Sequence, residues 1–508
     1  MGKVKSIVIT TILALAMAVA ALFAFISFPG NIKGLNSIAS TIPLGAEYSG
    51  NFYTTITPKG VLTAEEYNVL DEEDKTEDKY VEVGGLYVEK EKHEDVEVLK
   101  ANVAEDAKVL NARFGKKGYS SYSVAVENGL ILKMSVPTNY SYAEYKNPDF
   151  SHEKSNSQMN NATLAFSSLT ADGKLTLRTT DKSLPDGDGN YNAHDDELTD
   201  TALTNDGQKT YQLTGLDDAS SYFKSVTSRR FGKQYSINFN FTKEGRAKFK
   251  NITTRVASSS GQTIYFFVGD TQVLQFNCTS TIDLKTLSLQ TENFEFAENA
   301  AITLDSAIKG DVMTVDYGEI SEVLTSSATG GKNAALFAFI ASLIVLVMLV
   351  VLSVVLYKKL GIVNAMMAVI LALVEVYALQ LISLQVTFAV IFASFIGIGV
   401  LMVANAIVFA EVKRLVATGR TMQASIKEAY KNVLAAVTDI HIVLVVVALL
   451  LATVAVGELA ACGLILLIAT VASYLLYWFT RFMWYVISSL VRDKFGFAGL
   501  KRVVYEDD

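Results

Sequence analysis

Six long apolar runs leave this chain little freedom in what it can fold into. They are Ile7–Phe28, Ala334–Leu356, Gly361–Ser383, Phe388–Ala410, Leu434–Val456 and Leu459–Val486. Hydrocarbon offers a backbone N–H or C=O no partner, so a spanning segment satisfies its own backbone as an α-helix. About 20 residues, rising 1.5 Å each, are enough to cross a bilayer. Ile7–Phe28 holds 22 uncharged residues behind Lys3 and Lys5. A cleaved leader carries a shorter apolar stretch of about 7–15 residues, so this run reads as an uncleaved anchor. Buried helices of a soluble protein do not run this long with so little charge.

Basic residues in the connections set the orientation. With Lys3 and Lys5 inside, the region from Pro29 to Asn333 lies outside. The turn Tyr357-Lys358-Lys359 returns inside. So does the connection Glu411–Val433, with Lys413, Arg414, Arg420, Lys427 and Lys431, and the tail with Arg492, Lys494, Lys501 and Arg502. The turns at Leu384-Gln385 and Gly457-Glu458 carry no Lys or Arg and lie outside. Both termini are then cytoplasmic.

Charge divides the same way. Pro29–Asn333 holds 30 Lys and Arg against 43 Asp and Glu, and the rest of the chain 14 against 9. An acidic body on a basic membrane part excludes nucleic acid as a partner, because phosphate binding needs a basic surface. Two cysteines, Cys278 and Cys462, exclude a disulfide framework and a cysteine zinc site, and four histidines exclude a His-rich metal site. No metal and no cofactor are expected. There is no G-x-x-x-x-G-K-[ST] loop and no H-E-x-x-H, so no enzyme chemistry is expected either.

The outer region mixes strand patterns (Phe52–Thr57, Tyr80–Val83, Ser123–Val136, Tyr235–Thr242, Thr263–Val268, Thr286–Gln290) with helical ones (Val96–Phe114, Lys243–Ala257, Glu298–Ala307). That mixture is α+β, expected as two lobes. Glu65–Glu97 reads as a solvated charged edge, and Lys146–Gln208 as a loop-rich polar insertion. Within the insertion, Asp186, Asp188, Asn190 and Glu197 fall at positions 1, 3, 5 and 12 of a calcium loop. Position 6, which needs Gly, is Tyr191, so an Asp/Gly/Asn hairpin tip is preferred and calcium stays a weak alternative. The expected layout is an anchor over 1–28, an extracytoplasmic α+β domain over 29–333 with its insertion near 140–210, a five-helix bundle over 334–486 and a cytoplasmic tail over 487–508.

Polar groups inside spans are costly and are functional candidates by default. They are Glu375 in the third span, Gly397, Gly399 and Asn405 in the fourth, Asp439 and His441 in the fifth, and Arg481 near the inner end of the sixth. The run Gly399-Val-Leu-Met-Val-Ala-Asn405-Ala-Ile-Val-Phe409, followed by Glu411, resembles the fourth-span signature G-x-x-V-D-A-N-x-x-I-F-E-R of the SecD family. Asp439-Ile-His441 is similar to its fifth-span D-x-N segment, Thr480-Arg481 to its closing span, and Tyr357–Gly361 to its Y-[KR]-x-x-G turn. Outside the spans, Leu44–Gly50, Leu110–Pro137, Leu213–Asp217 and Phe239–Phe249 resemble further family segments, in the family's order.

The resemblance implies a SecD-like polytopic membrane protein of the RND superfamily, with six helices in a 1+5 layout. It also implies an accessory role in protein export coupled to the proton motive force. The implied partners are a SecF-like six-span protein, the SecYEG channel and unfolded secreted polypeptides. One departure matters most. Val403 stands where the family has its intramembrane Asp, and valine cannot titrate. Glu375, Asp439 or His441 would then carry the proton, His441 because imidazole titrates near neutrality. Asp439 and His441, two apart, do not face each other on a helix, and both read more simply as a cap and an interfacial group at the mouth of the fifth span. Glu375 reads equally as a relay group or a structural carboxyl. The preferred reading is that the partner supplies the carboxylate. Asn405, Gly397 and Gly399 read as a helix-packing motif, and Arg481 as a snorkelling side chain. Two alternatives remain: half of an RND-type small-molecule or lipid exporter, and a non-transporting surface protein on the same scaffold.

Single-cysteine labelling with a membrane-impermeant maleimide tests the orientation. Positions within 29–333 should label in intact cells, whereas 357–359 and 411–433 should label only after lysis.

Overall fold

The computed structural model describes residues 3–26, 36–71, 73–75, 78–117, 119, 121–146, 148–181, 202–213, 218–231, 234–258 and 262–488. The calcium-loop candidates Asp186, Asp188, Asn190 and Glu197, most of the Leu213–Asp217 segment and the tail beyond Ser488 lie outside them. The chain divides into two compact units. One holds Met1–Asn51, Pro137–Ser155 and Ser326–Asp508, and the other Phe52–Val136 and Asn156–Thr325.

The first unit is helical. Among the described residues six helices are long and apolar enough to cross a membrane: Val4–Phe25, Ala334–Lys358, Leu360–Leu381, Phe388–Ala417, Met422–Val454 and Glu458–Ser488. The fold is that of a polytopic α-helical membrane protein. Thr387 and Thr421 cap the fourth and fifth spans, their hydroxyls accepting from Val390 N–H and Ala424 N–H. The connection expected over Glu411–Val433 is therefore mostly helix, broken only around Thr418–Thr421. The second and third spans meet at one non-helical residue, Lys358, with φ 54° and ψ −131°. Just past it the two helices nearly touch. A Cβ on Gly361 would lie 2.1 Å from the Ser353 carbonyl oxygen, and Ser353 Oγ donates to Gly361 O at 3.1 Å.

The second unit is α+β. Its sheets are antiparallel wherever a pairing register is defined. One sheet orders Thr286–Thr291, Gln234–Phe241 and Phe223–Phe231. A second orders Thr271–Asn277, Thr263–Val268, Leu175–Thr179 and Tyr211–Gln212. A small one orders Val61–Thr63, Leu86–Glu89 and Tyr80–Val83. A four-stranded sheet adds Leu324–Ser326, Asn51–Ile56, Ile131–Pro137 and Ser123–Glu127. Helices Lys243–Ala257 and Phe294–Lys309 bury apolar stripes with these strands around Phe223, Phe239, Phe249 and Phe266. Gly245 sits where that packing is tightest, since a Cβ there would meet Tyr222 O at 2.1 Å.

Two expectations are corrected here. Ser123–Val136 is a hairpin rather than one strand: Asn128 and Gly129 both take positive φ and, with Leu130, turn the chain so that Glu127 pairs with Ile131. The stretch 146–208 is not wholly an insertion. Pro148–Thr170 is a helix whose Ala162, Ala165, Phe166 and Leu169 are buried at helical spacing, and Leu175–Thr179 is an inner strand. Its Ser and Asn content hides that stripe from composition.

A buried carboxylate ties helix Val96–Lys116 to the segment after Lys309. Asp106 accepts from Thr314 N–H (2.7 Å) and Oγ1 (3.0 Å), from Val315 N–H (3.1 Å) and from the Tyr317 hydroxyl (2.9 Å). Burial, then the Asp106 charge, holds the Tyr317 phenol far above its ordinary value, so it stays a donor. Two turns on, Arg113 donates to Leu169 O, Ala171 O, Asp311 O and Asp172. Burial raises the Asp172 carboxyl against the lowering effect of that guanidinium. Asp106→Ala leaves the buried Val315 N–H and the part-buried donors of Thr314 and Tyr317 unpaired, and at about 1–3 kcal/mol for a buried orphan it should destabilise the unit by about 1–3 kcal/mol. Hydrogen exchange of Thr314 and Val315 amides would show the loss first.

Candidate functional site

The fourth span positions the polar groups of the bundle. Asn405 is 1% exposed, and its Nδ2 donates to Asn364 Oδ1 in the third span (2.8 Å) and to Thr480 Oγ1 in the sixth (3.4 Å). Asn364 Nδ2 donates in turn to Ser353 Oγ of the second span (3.0 Å). A chain of neutral side chains thus crosses four spans, an arrangement that fixes their rotation about one another. Asn405 Oδ1 is buried with no partner among the described residues. Ser353 and Asn364 are not among the sequence candidates, and Thr480 enters there only as part of a motif. The rule that flags Asn405, an amide within an apolar run, flags Asn364 equally.

Val403 lies outside this network. It is 52% exposed, so its side chain stands on the outer surface of the bundle of this chain. Gly397 and Gly399, expected to act together, separate. A Cβ on Gly397 would lie 2.4 Å from Ala469 Cβ and 3.3 Å from Glu375 Oε1, so Gly397 is what lets the fourth and sixth spans close. Gly399 has nothing within 4 Å of its would-be Cβ and takes no part in packing.

The three relay candidates occupy different places. Glu375 is 3% exposed, beside Gly397, and its Oε1 has no hydrogen-bond partner among the described residues. His441 is also buried, contrary to its reading as an interfacial group. The fifth helix begins at Met422, so His441 is well inside it. The Val437 carbonyl only accepts, so Nδ1 carries the proton it shares with that oxygen (2.8 Å), and Nε2 meets Ser473 Oγ of the sixth span at 2.7 Å. Asp439 is exposed on the outside of the fifth helix and caps nothing. The three are not brought together. Arg481 stacks over the rings of Tyr430 (5.6 Å) and Trp478 (5.8 Å), a cation–π seat rather than a free snorkel. Among the described residues no group of three or more His, Cys, Asp or Glu side chains could hold a metal.

No family model and no curated protein matches the sequence. Solved structures do. A crystal structure of SecDF in a super-membrane-facing form matches with a TM-score of 0.57 at 15% identity, over 96% of this chain and 59% of that one. The chain has a SecD-like fold. A crystal structure of SecDF, a translocon-associated membrane protein from Thermus thermophilus, matches at 15% identity and a TM-score of 0.38, over 94% of this chain and 58% of that one. This chain spans about three-fifths of the length of those SecDF chains.

Gly397→Val should separate the fourth and sixth spans. Overpacking of this kind costs about 1–3 kcal/mol, and the purified protein should melt measurably lower in detergent, with Gly399→Val unchanged.

Proposed function

We propose that this chain is an accessory subunit of the Sec protein-export machinery, assisting the movement and release of secreted polypeptides across the cytoplasmic membrane of a bacterium. The observation that carries the reading is the SecD-like fold over nearly the whole chain. On this reading Pro29–Asn333 is extracytoplasmic, both termini are cytoplasmic, and the chain catalyses no covalent chemistry.

A SecF-like six-span protein is the proposed partner, beside the SecYEG channel. One observation supports it: the Val403 position stands on the bundle surface, where a second bundle would cover it. A proton-carrying group facing that seam would come from the partner. In this chain the inward polar groups there are amides and hydroxyls, which exchange hydrogen bonds without changing charge. A carboxylate is needed for the coupling because its charge, costly at bilayer depth, favours a different helix arrangement from its neutral form.

Depletion of the protein followed by pulse–chase labelling should slow the maturation of secreted proteins, and the chain should copurify with the channel. Unchanged export kinetics would remove the reading and favour the exporter alternative. Glu375→Gln, Asp439→Asn and His441→Ala should each restore export in the depleted strain. A severe defect from any of them would move the proton-carrying group into this chain.

A further inference from the structure

Between the first four spans of the helical unit lies a cavity of about 530 Å³, within the range of about 300–1,000 Å³ typical of small-molecule sites. Its walls come from all four of those helices and from the segment carrying Ile42, Leu44 and Tyr48. They are almost wholly apolar, with Ala338 and Ser342 on one side and Ala372 on another. Five polar side chains interrupt them: Tyr48, Tyr142, Ser342, Glu375 and Ser394. Glu375 and Tyr48 are 3% and 2% exposed, and neither Glu375 Oε1 nor Tyr48 Oη has a hydrogen-bond partner among the described residues. An orphaned buried polar atom is costly, and two on the wall of one apolar cavity call for an occupant that satisfies them.

The chemistry of the two groups narrows that occupant. Tyr48 carries its proton, held there by burial and by the Glu47 carboxylate, so it needs an acceptor. A carboxyl oxygen of Glu375 needs a donor. An ammonium head would serve Glu375 and leave Tyr48 unpaired. A phosphate would serve Tyr48 and carry its own charge into a region of low dielectric, which is costly. Glu375 is six residues from Leu381 at the end of its span, or about 9 Å along the helix. That depth suits the head–chain junction of an amphiphile and excludes a fully hydrated head.

We propose that this cavity binds a neutral lipid, an acyl chain bearing a hydroxyl or amide head, with Glu375 and Tyr48 as its polar anchors. The site is distinct from the seam at Val403 and stands whether or not the export reading holds.

A 16-carbon monoacylglycerol with a diazirine in its chain is the probe, added to the purified full-length protein in detergent. Ultraviolet crosslinking should concentrate in peptides covering 335–350 and 390–398, and unlabelled monoacylglycerol should compete. Glu375→Leu should cut the labelling about tenfold, the worth of one buried hydrogen bond of about 1.4 kcal/mol, and Glu375→Gln should restore most of it. Ala372→Trp, which fills the cavity, should abolish it while the melting temperature holds. Labelling spread evenly over the lipid-facing helices, labelling indifferent to Ala372→Trp, or equal competition by phosphatidylglycerol would overturn the assignment.

Discussion

Inside hydrocarbon a polar side chain has no water to fall back on, so its partner has to come from a neighbouring helix. The bundle is organised by that requirement. Ser353, Asn364, Asn405 and Thr480 bond one another across four spans, and His441 reaches Ser473 in a fourth contact. Apolar packing between helices is nearly neutral in a membrane, because lipid tails are as apolar as leucine. These few directional bonds, with the close approach at Gly397, therefore select one rotation of each helix from many that would bury similar area.

The same requirement sorts the candidate residues. A group whose valences are filled by neutral neighbours, as at Asn405 Nδ2 and His441, holds helices together. A group left open, as at Glu375 and Tyr48, points to something beyond the chain. Val403 is a third kind: an apolar residue on an outer surface of the bundle.

Much of this was legible in the residues. Hydropathy found all six spans, and period-2 and period-3.6 patterns found helix Lys243–Ala257 and strands Tyr80–Val83 and Thr263–Val268 to the residue. The SecD resemblance anticipated the fold. What failed did so for physical reasons. Asn128-Gly129 is a turn signal of two residues inside an otherwise continuous alternation, and it was read through. Phe223–Phe231 and Thr271–Asn277 were missed because polar residues on their open faces dilute the pattern. Helix Pro148–Thr170 buries four positions among its described side chains, amid serine and asparagine. Within the spans, sequence named which side chains are polar but not which way they face. Rotation about a helix axis decides whether Asp439 is outside, His441 inside and Gly399 against nothing, and a uniformly apolar helix does not display that rotation in its pattern.

The reversal at Lys358 has a mechanical consequence. A single residue joins two long helices, and Ser353 is latched to Gly361 across the corner, so the joint holds almost no slack. Two rods joined so tightly move as one stiff fork. A tilt imposed on either prong is carried through the bend to the other, with no flexible tether to absorb it.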